Sequence, residues 1–347
     1  MPFDSSTAVE QDALLCRPDS ERCVICNGFL NPLLDHVFDT RFGIAGNYSI
    51  HRCENCGLEQ VCPLLTDLQL KHLYETYYNF GGEKGTLYVA MREWFFHSPF
   101  YRLWVWLDGD HSFHNRKGTG KLLDVGCNEG RGLRLYRRNG FEAQGLEVNQ
   151  NAAARARQNG FEVHTRMLGD FHPQERYDVL ILSNVLEHSL DPKDMLLSAR
   201  RVLKAGGEIW ISCPNSQSWL RRVFGQHWIN WHVPFHIIHF SPRILEDLLL
   251  DAGFADINIQ QITPAAWVGA SCISKIFSKE GKPTKQLRNP FLVFSLLLFL
   301  RFLFFPLLCV GNWLGKGDCL VTTARASNRE PGAGTGSRNG SNGGNIG

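Results

Sequence analysis

The chain has 347 residues, 44% of them hydrophobic, and a formal net charge of +2. This length allows two domains or one domain with additions, and the apolar content is sufficient for a hydrophobic core. The small net charge, without a basic stripe, argues against a nucleic-acid partner. The first residues, MPFDSSTAVEQD, contain neither a basic start nor an apolar run, so we expect no signal peptide. Eleven cysteines in such a chain favour metal ligands or free thiols over a disulfide framework.

Two Cys-x-x-Cys pairs follow a lead, residues 1–19, that we expect to be flexible. The pairs are separated by 26 residues and consist of Cys23, Cys26, Cys53 and Cys56. Each pair can bring two thiolates to one metal ion, and four thiolates complete the tetrahedral coordination of Zn²⁺. We therefore predict a structural zinc ribbon over residues 20–65, without an open position for a metal-bound water. Four unrelated or redox-active cysteines are the alternative.

Residues 66–117 combine helical spacing with many aromatic side chains. The aromatic residues of one short stretch are Trp94, Phe95, Phe96, Phe100, Tyr101, Trp104 and Trp106. They predict a helical cap that packs on the main sheet. The alternative is a lid whose aromatic side chains line an apolar or sugar-binding pocket.

A glycine-rich turn at residues 121–132, KLLDVGCNEGRG, is the strongest local pattern. Its apolar start predicts a buried strand, and the residues after Gly132 have helical spacing. A strand, a tight glycine turn and a helix form the nucleotide-binding corner of a doubly wound α/β fold. Ligands of such folds lie outside the carboxyl ends of the strands.

The residues around this turn indicate which ligand it holds. The dinucleotide fingerprint fails because Asn128 replaces its second glycine, and Asp124 and Glu129 would repel a pyrophosphate. Acidic groups suit an amino group, a ribose diol and a sulfonium, which together describe S-adenosylmethionine. Glu147 ends the next strand 23 residues after Asp124, the spacing of an acid that binds ribose hydroxyls. Asp170 follows a third run, where it could recognise the adenine amine. A glycine-rich turn arising by chance is the alternative.

A polar junction, Asn184 to His188, follows the fourth predicted strand, at the carboxyl end where ligands of this fold bind. His188 could act as a general base, because imidazole titrates near neutrality. Alternatively, Glu187 and His188 only shape the junction through hydrogen bonds to the backbone.

Three further histidines, His232, His236 and His239, lie within eight residues after the fifth strand. We expect one of them to contact the acceptor and the others to be structural. A metal site formed by the three is the alternative, and it is weakened because no carboxylate or cysteine stands close in the sequence. Ser241 can cap the helix that follows, with Pro242 in its first turn.

An apolar insertion, residues 263–317, separates the sixth strand, 254–262, from the seventh, 318–325. Its most apolar part begins at Phe291, ends at Leu314 and has Arg301 as its only charge. Length and apolarity make it a candidate transmembrane helix. One crossing would, however, leave the seventh strand on the wrong side of the bilayer. We therefore expect a hairpin or interfacial helix that dips into one leaflet, with Arg301 snorkelling or lying near the bend. A buried helix, or one packed on the aromatic cap, is the alternative. Residues 327–347 are expected to be a disordered tail.

Taken in order, these motifs resemble class I S-adenosylmethionine-dependent methyltransferases over about residues 120–262. The matching motifs are DVGCNEG from Asp124, Glu147, Gly169-Asp170, NVLEH from Asn184 and LKAGG from Leu203. The resemblance implies that Asp124, Gly126, Asn128 and Gly130 hold the methionine portion, Glu147 the ribose and Asp170 the adenine, with Asn184 also at the cofactor. Asn128 departs from the family, which usually has glycine there, but asparagine tolerates positive φ.

The ribbon also resembles a known element, the zinc-ribbon leader of many bacterial methyltransferases. The matching motifs are CVIC, CENCGL, Pro63 and Tyr74-x-x-Tyr77-Tyr78. These relatives commonly methylate sugars or other small metabolites in envelope and natural-product pathways, and their ribbons are usually structural.

The sequence thus predicts a Rossmann-like α/β domain, residues 118–326, whose seven-stranded sheet has an antiparallel seventh strand. The expected activity is methyl transfer from S-adenosylmethionine to a small-molecule acceptor, a sugar or a lipid-linked or prenylated metabolite of the cell envelope. The candidate bases are His188, His232, His236 and His239. The expected location is cytoplasmic, peripheral or re-entrant at the inner face of the membrane. A catalytically inactive, membrane-peripheral binding module is the alternative.

Overall fold

A computed structural model describes residues 22–77, 87–284 and 290–327. The predicted lead, Tyr78 and nearly all of the predicted tail lie outside the described residues. The described strands are β1 (Leu30–Val37), β2 (Tyr48–Cys53), β3 (Glu59–Cys62), β4 (Lys121–Val125), β5 (Glu142–Leu146), β6 (Val163–His164), β7 (Tyr177–Ser183), β8 (Leu203–Pro214), β9 (Ile238–His239), β10 (Phe254–Ile262) and β11 (Cys319–Ala326). The described α-helices are α1 (Asp67–Tyr77), α2 (Leu87–His97), α3 (Pro99–Asp108), α4 (Arg131–Arg138), α5 (Gln150–Gln158), α6 (Pro192–Val202), α7 (Trp219–Phe224), α8 (Pro242–Asp251), α9 (Ala265–Phe277), α10 (Pro290–Leu303) and α11 (Phe305–Trp313).

The main sheet has seven strands in the order β10-β11-β8-β7-β4-β5-β6. The strands from β8 to β6 run parallel, and β11 is antiparallel to both β8 and β10. The predicted Rossmann-like sheet with an antiparallel seventh strand is therefore confirmed. The central strands β4 and β7 consist mainly of buried apolar residues, as expected where helices cover both faces of a parallel sheet.

A second, antiparallel sheet joins the ribbon to the core in the order β1-β2-β3-β9. Three of its strands belong to the predicted ribbon, but β9 comes from the loop that follows β8. The pairing of β3 with β9 aligns Glu59 with His239 and Gln60 with Ile238. The ribbon is thus not a detached module, because its last strand hydrogen-bonds to the histidine-rich loop.

The apolar insertion contains three helices, α9, α10 and α11. Across the described ranges, no single helix is long and apolar enough to cross a membrane. Ser295–Leu303 and Phe305–Trp313 meet the length and composition criteria only as a pair, bent by 61°. Pro306, in the first turn of α11, follows this bend. The sequence candidate for one transmembrane helix is therefore two shorter helices.

Arg301 lies in the last turn of α10, near the bend between the helices, but it does not snorkel. It is only 6% exposed, and its guanidinium donates hydrogen bonds to the carbonyls of Leu107 and Thr263. Its Nη1 lies 3.8 Å from Oδ1 of Asp108, the last residue of α3. Burial costs a charge less when a counter-charge and carbonyl oxygens surround it. Arg301 therefore joins the insertion to the aromatic cap.

Replacing Arg301 with methionine should destabilise the protein by about 3 kcal/mol near pH 8, because Asp108 would remain buried without its counter-charge. Burial already raises the pKa of Asp108 to about 6. A raised carboxyl pKa means that the folded state holds a proton that the unfolded state releases, so this group lowers stability as pH rises from about 4 to its folded pKa. Without the positive charge of Arg301 the folded-state pKa of Asp108 rises further, so Asp108 lowers stability over a pH range that extends to higher pH. Urea unfolding should show a smaller loss at pH 5 than at pH 8.

The matched control is Arg325→Met, which removes the exposed Arg325–Glu208 pair. Exposed ion pairs contribute at most about 1 kcal/mol, so this variant should unfold almost like the wild type. Equal effects of the two substitutions, or an Arg301 effect independent of pH, would contradict the role assigned to the buried pair.

Candidate cofactor and acceptor site

The glycine-rich turn places three residues in the left-handed region directly after β4. Gly126 has φ = +73°, Asn128 has φ = +53° and Gly130 has φ = +81°. A Cβ on Gly126 would come within 2.9 Å of Val185, so the turn also needs a residue without a side chain there. The side chain of Asn128 accepts a hydrogen bond from the backbone N–H of Glu129 at 2.8 Å. Asparagine therefore adopts the conformation that glycine usually supplies and stabilises the turn with its own side chain.

A cavity of about 260 Å³ lies at this turn, outside the carboxyl ends of β4 and β7. Four of its lining residues were selected from the sequence: Asp124, Gly126, Asn128 and Asn184. The others are Ser112, His114, Cys127, Glu129, Arg131, Gly132, Tyr136 and Ser183. This is the position at which doubly wound folds bind nucleotides.

Two buried carboxyl groups, Asp124 and Glu147, stand at the ends of adjacent strands. Burial, together with the charge of Glu147, raises the pKa of Asp124 to about 8. Burial also raises the pKa of Glu147, although its oxygens accept hydrogen bonds from the backbone N–H groups of Asn128 and Asn149 at 2.9 and 2.8 Å. A cationic ligand group would stabilise the ionised form of Asp124, so the site favours a cation over an anion.

Glu129 contributes less to the preference for a cationic ligand than the sequence suggested. Its carboxylate is paired with Arg155 at 2.8 Å and with Arg131 at 3.0 Å. Arg131 also pairs with Glu93 of α2 at 2.9 Å. Within the lining, Asp124 is therefore the carboxyl group without an arginine partner among the described residues.

Three predicted cofactor residues, Gly130, Glu147 and Asp170, do not line the cavity. Asp170 is exposed, in the short turn after Leu168, and is absent from the lining. Gly130 caps the start of α4 in the left-handed conformation. The role predicted for Asp170 in recognising adenine stays a prediction.

His114 is a lining residue that the sequence analysis missed. Its Nδ1 lies 2.5 Å from the hydroxyl of Tyr101 in α3, and burial lowers its pKa to about 3. A Cβ on Gly132 would meet Nε2 of His114 at 3.3 Å and Asp124 at 3.2 Å, so α4 approaches both groups closely. No motif marks His114 in the sequence, because its position depends on the cap, which supplies Tyr101.

The four candidate bases lie close together beside the carboxyl end of β7. The ring of His236 lies 4.7 Å from that of His188, 4.9 Å from that of His232 and 6.4 Å from that of His239. Burial lowers the pKa of all four, to about 4 for His188 and about 3 for His239. Each imidazole is therefore neutral at physiological pH. His188 is the only one of the four that is partly exposed.

The ribbon and α1 cover this side of the site with aromatic side chains. Phe42, between β1 and β2, contacts the rings of Tyr77, His232 and Phe235 at centroid distances of 5.9, 5.8 and 5.7 Å. Tyr74 of α1 places its hydroxyl 2.7 Å from Nδ1 of His188. The aromatic surroundings of the histidines are thus assembled from the N-terminal segments and not from the core alone.

The four ribbon cysteines form a cluster with the geometry of a metal site. Their sulfur atoms lie within 4.8 Å of one another, with Cys23 to Cys56 at 3.6 Å and Cys26 to Cys53 at 3.4 Å. Tetrahedral Zn²⁺ with Zn–S bonds of about 2.3 Å separates its thiolates by roughly 3.8 Å. A hydrogen bond from Cys56 lowers the pKa of Cys23 to about 5, which favours a thiolate at neutral pH. The residues therefore fit zinc, which would be held by these four cysteines.

The order of the strands, the glycine-rich turn and the acidic pair of Asp124 and Glu147 are together typical of a Rossmann-like domain of the S-adenosylmethionine-binding class. Residues 110–259 match the family model described as Methyltransferase domain. The stretch that matches this methyltransferase domain family includes the turn, the NVLEH junction and the histidine-rich loop. The resemblance stated from the sequence is confirmed for this domain.

Curated relatives match part of this domain. Ubiquinone biosynthesis O-methyltransferases of Salmonella arizonae and Salmonella typhimurium are 32% identical over 124 residues, which cover 33% of this chain. The chain spans about half, 51%, of the length of these relatives.

Solved structures show similarities of fold alone. A methyltransferase of Thermotoga maritima, described as a possible histamine N-methyltransferase, is 17% identical with a TM-score of 0.45, covering 74% of this chain and 99% of that one. The 1,6-didemethyltoxoflavin N1-methyltransferase of Burkholderia thailandensis is 14% identical with a TM-score of 0.42, covering 85% and 100%.

Proposed function

We propose that this protein transfers a methyl group from S-adenosylmethionine to a small-molecule acceptor. The observation that carries the proposal is the cavity at the carboxyl ends of β4 and β7, with Asp124 in its wall and Glu147 at the adjacent strand end. Its acidic character fits the amino group, ribose diol and sulfonium of this cofactor. The binding-module alternative rested on Asn128 alone, and Asn128 maintains the turn.

Each predicted cofactor residue has a proposed role in this cavity. Asp124 and the turn from Gly126 to Gly130 hold the methionine portion, with Asn184 opposite the turn. Glu147 accepts hydrogen bonds from the ribose, while its bonds to the backbone fix its orientation. Asp170 reaches the adenine amine from the solvent side.

Bound S-adenosylmethionine supplies an electrophilic methyl carbon on its sulfonium. The chain has to hold the acceptor in line with that carbon and to ease the loss of the acceptor's proton. We assign the removal of the acceptor's proton to His188 and the groups around it. His188 is partly exposed and follows the cavity residue Asn184 in the same junction. An imidazole with a pKa near 4 is a weak base at neutral pH. It therefore suits an acidic proton, such as that of a phenol, better than a sugar hydroxyl.

A prenylated hydroxyphenol is accordingly the proposed acceptor class, ahead of a lipid-linked sugar. The curated relatives are named for ubiquinone biosynthesis, which supports testing this chemistry first. With labelled S-adenosylmethionine, the wild type should methylate a prenylated dihydroxybenzene, and His188→Asn should lower the rate at least a hundredfold with unchanged cofactor affinity. His172→Asn, at an exposed histidine, is the matched control.

The outcomes of this experiment separate the proposals. Cofactor binding without transfer to any phenol would refute the acceptor class but not the methyltransferase. No cofactor binding would refute the methyltransferase activity. An unaltered rate in His188→Asn would remove His188 from the acceptor side.

We further propose that the insertion rests on an anionic membrane surface. Exposed apolar side chains are frequent on α3, α10 and α11, and this set is here called the apolar face: Leu103, Trp106, Phe299, Phe302, Leu303, Leu307 and Trp313. Three exposed lysines, Lys275, Lys279 and Lys282, belong to the same insertion, at the end of α9 and beyond it. A combination of exposed apolar and basic side chains is typical of a peripheral membrane contact.

Flotation with liposomes tests this contact. The wild type should float with vesicles that contain anionic phospholipid, and a variant with Phe302→Ser and Trp313→Ser should remain in solution. A variant with Leu68→Ser, exposed on α1 away from the insertion, should float like the wild type. Equal recovery of all three proteins with the vesicles would contradict the assigned face.

A further inference from the structure

Glu187 carries a buried carboxylate close to His188 and His236. Glu187 is fully buried, and within the described residues neither of its carboxylate oxygens has a hydrogen-bond partner. Leaving such a group unsatisfied normally costs several kcal/mol. Nε2 of His236 lies 3.9 Å from Oε1 of Glu187. A cation bound at Glu187 would offset the free-energy cost of burying its carboxylate.

Two imidazoles are oriented towards this position by their own backbone contacts. Nδ1 of His236 donates a hydrogen bond to the carbonyl of Asn230 at 2.8 Å, because a carbonyl can only accept. Nδ1 of His188 contacts both the carbonyl of Phe235 at 2.9 Å and the hydroxyl of Tyr74 at 2.7 Å. In the tautomer that donates to the carbonyl, the hydroxyl accepts from the same N–H, and the lone pair of His188, like that of His236, is on Nε2. Metal-binding histidines are oriented in the same way by a hydrogen bond from the other ring nitrogen.

The three residues converge from two separate parts of the chain. One ligand atom from each of Glu187, His188 and His236 lies within 4.8 Å of the others. The backbone ties the two parts together, since the N–H of Ile237 donates to the carbonyl of Glu187 at 2.8 Å. Metal–ligand bonds of about 2.1 Å separate ligand atoms by roughly 3 to 3.5 Å, so small side-chain rotations would close the site.

We propose that Glu187, His188 and His236 bind a divalent transition-metal cation, separate from the zinc of the ribbon. Two imidazoles and one carboxylate favour Zn²⁺, Fe²⁺, Co²⁺ or Mn²⁺ over Ca²⁺ or Mg²⁺, which prefer oxygen ligands. The sequence objection to a histidine metal site was the missing carboxylate, and the tertiary structure supplies it from the end of β7. Only one of the three loop histidines takes part.

The cation would also determine how His188 promotes the loss of the acceptor's proton. This consequence rests on the proposed function. His188 would be a ligand of the cation, and it is the partly exposed member of the three. A hydroxyl that binds to the cation loses its proton more readily, because the positive charge stabilises the oxyanion. The binding of the cation itself does not depend on methyl transfer.

Titration with Mn²⁺ tests the proposal on the full chain with its ribbon loaded with zinc. Mn²⁺ competes poorly with Zn²⁺ for thiolates, so the ribbon does not take it up. Loss of the electron paramagnetic resonance signal of free Mn²⁺ should show one bound ion per chain in the wild type. Glu187→Gln and His236→Asn should each weaken binding at least thirtyfold. His227→Asn, in the same loop but packed on Phe38, should bind like the wild type.

The zinc content and cofactor binding of each variant show whether it is folded. If both variants fail to fold, the wild-type titration decides alone, because absence of Mn²⁺ binding at millimolar concentration overturns the proposal. Undiminished binding in the folded Glu187→Gln and His236→Asn variants also overturns it. The titration uses neither cofactor nor acceptor, so its failure is distinct from a failure of methyl transfer.

Discussion

Replacement of Glu147 with glutamine should weaken the binding of S-adenosylmethionine about a hundredfold, or by about 2.7 kcal/mol. The carboxylate accepts backbone hydrogen bonds from Asn128 in the turn and from Asn149 at the start of α5. A glutamine side chain can accept only one of these bonds, and its NH₂ group would oppose the other N–H. The substitution therefore removes a ribose acceptor and loosens the turn. Calorimetric titration measures the change.

Glu208→Gln provides the matched control, since Glu208 is on β8 and pairs with Arg325 at the surface. Its cofactor affinity should equal that of the wild type. A Kd of Glu147→Gln within threefold of the wild-type value would exclude Glu147 from the site.

Asp124→Asn should lower cofactor affinity and at the same time stabilise the cofactor-free protein above neutral pH. The folded-state pKa of Asp124, about 8, exceeds the unfolded value of about 4. The folded state thus keeps a proton that the unfolded state loses, so this group reduces stability as pH rises from about 4 to 8. Asparagine cannot ionise, so the variant lacks this loss and should be more stable than the wild type at pH 8. Thermal unfolding at pH 5 and pH 8, without cofactor, should show a much larger gain at the higher pH.

Replacement of Cys53 with serine should abolish the zinc of the ribbon and disturb the acceptor side of the site. Three thiolates bind Zn²⁺ much more weakly than four, and structural zinc sites commonly supply the folding energy of small ribbons. The ribbon sheet includes β9, so its loss frees the loop that holds His232 and His236. Phe42 would also leave its contacts with His232 and Phe235. Methyl transfer should fall more than tenfold, whereas cofactor binding should change little, because the cofactor cavity lies in the core.

Elemental analysis and calorimetry together test this separation. The wild type should contain one ribbon zinc per chain, and Cys53→Ser should contain none. The control variant Cys309→Ser changes an exposed cysteine of α11 and should contain one zinc, like the wild type. A zinc-free wild type that folds normally would refute the ribbon assignment. Loss of cofactor binding in Cys53→Ser would show that the ribbon supports the whole domain and not only the acceptor side.

Local patterns accounted for the parts of the site that lie on single segments. Asp124, the glycine turn and Asn128 follow one strand directly, so the order of residues along the chain sets their arrangement. The strand order was predictable because the spacing of the motifs resembles that of a known fold. The four cysteines were recognisable because each Cys-x-x-Cys pair is a local chelating unit.

Arg301 illustrates what local patterns could not decide. In the sequence it was a lone charge in an apolar run, which suggested a membrane interface. Its partners, Asp108 and the carbonyls of Leu107 and Thr263, come from the cap and the end of β10, so only the packed chain shows how its charge is compensated. The role of Asp170 stays a prediction from its motif position, and its side chain is exposed.

By itself the sequence determined the methyltransferase domain, the cofactor turn with its two strand-end acids, and the cysteine cluster. These features depend on spacing along one segment or on a resemblance carried by such spacing. Only the tertiary structure decided that β9 joins the ribbon to the core, that Arg301 is buried against Asp108 and that Glu187 meets His236. Each of these contacts joins segments that are far apart in the chain, and their geometry follows from the packing of the whole core and not from local residue preferences.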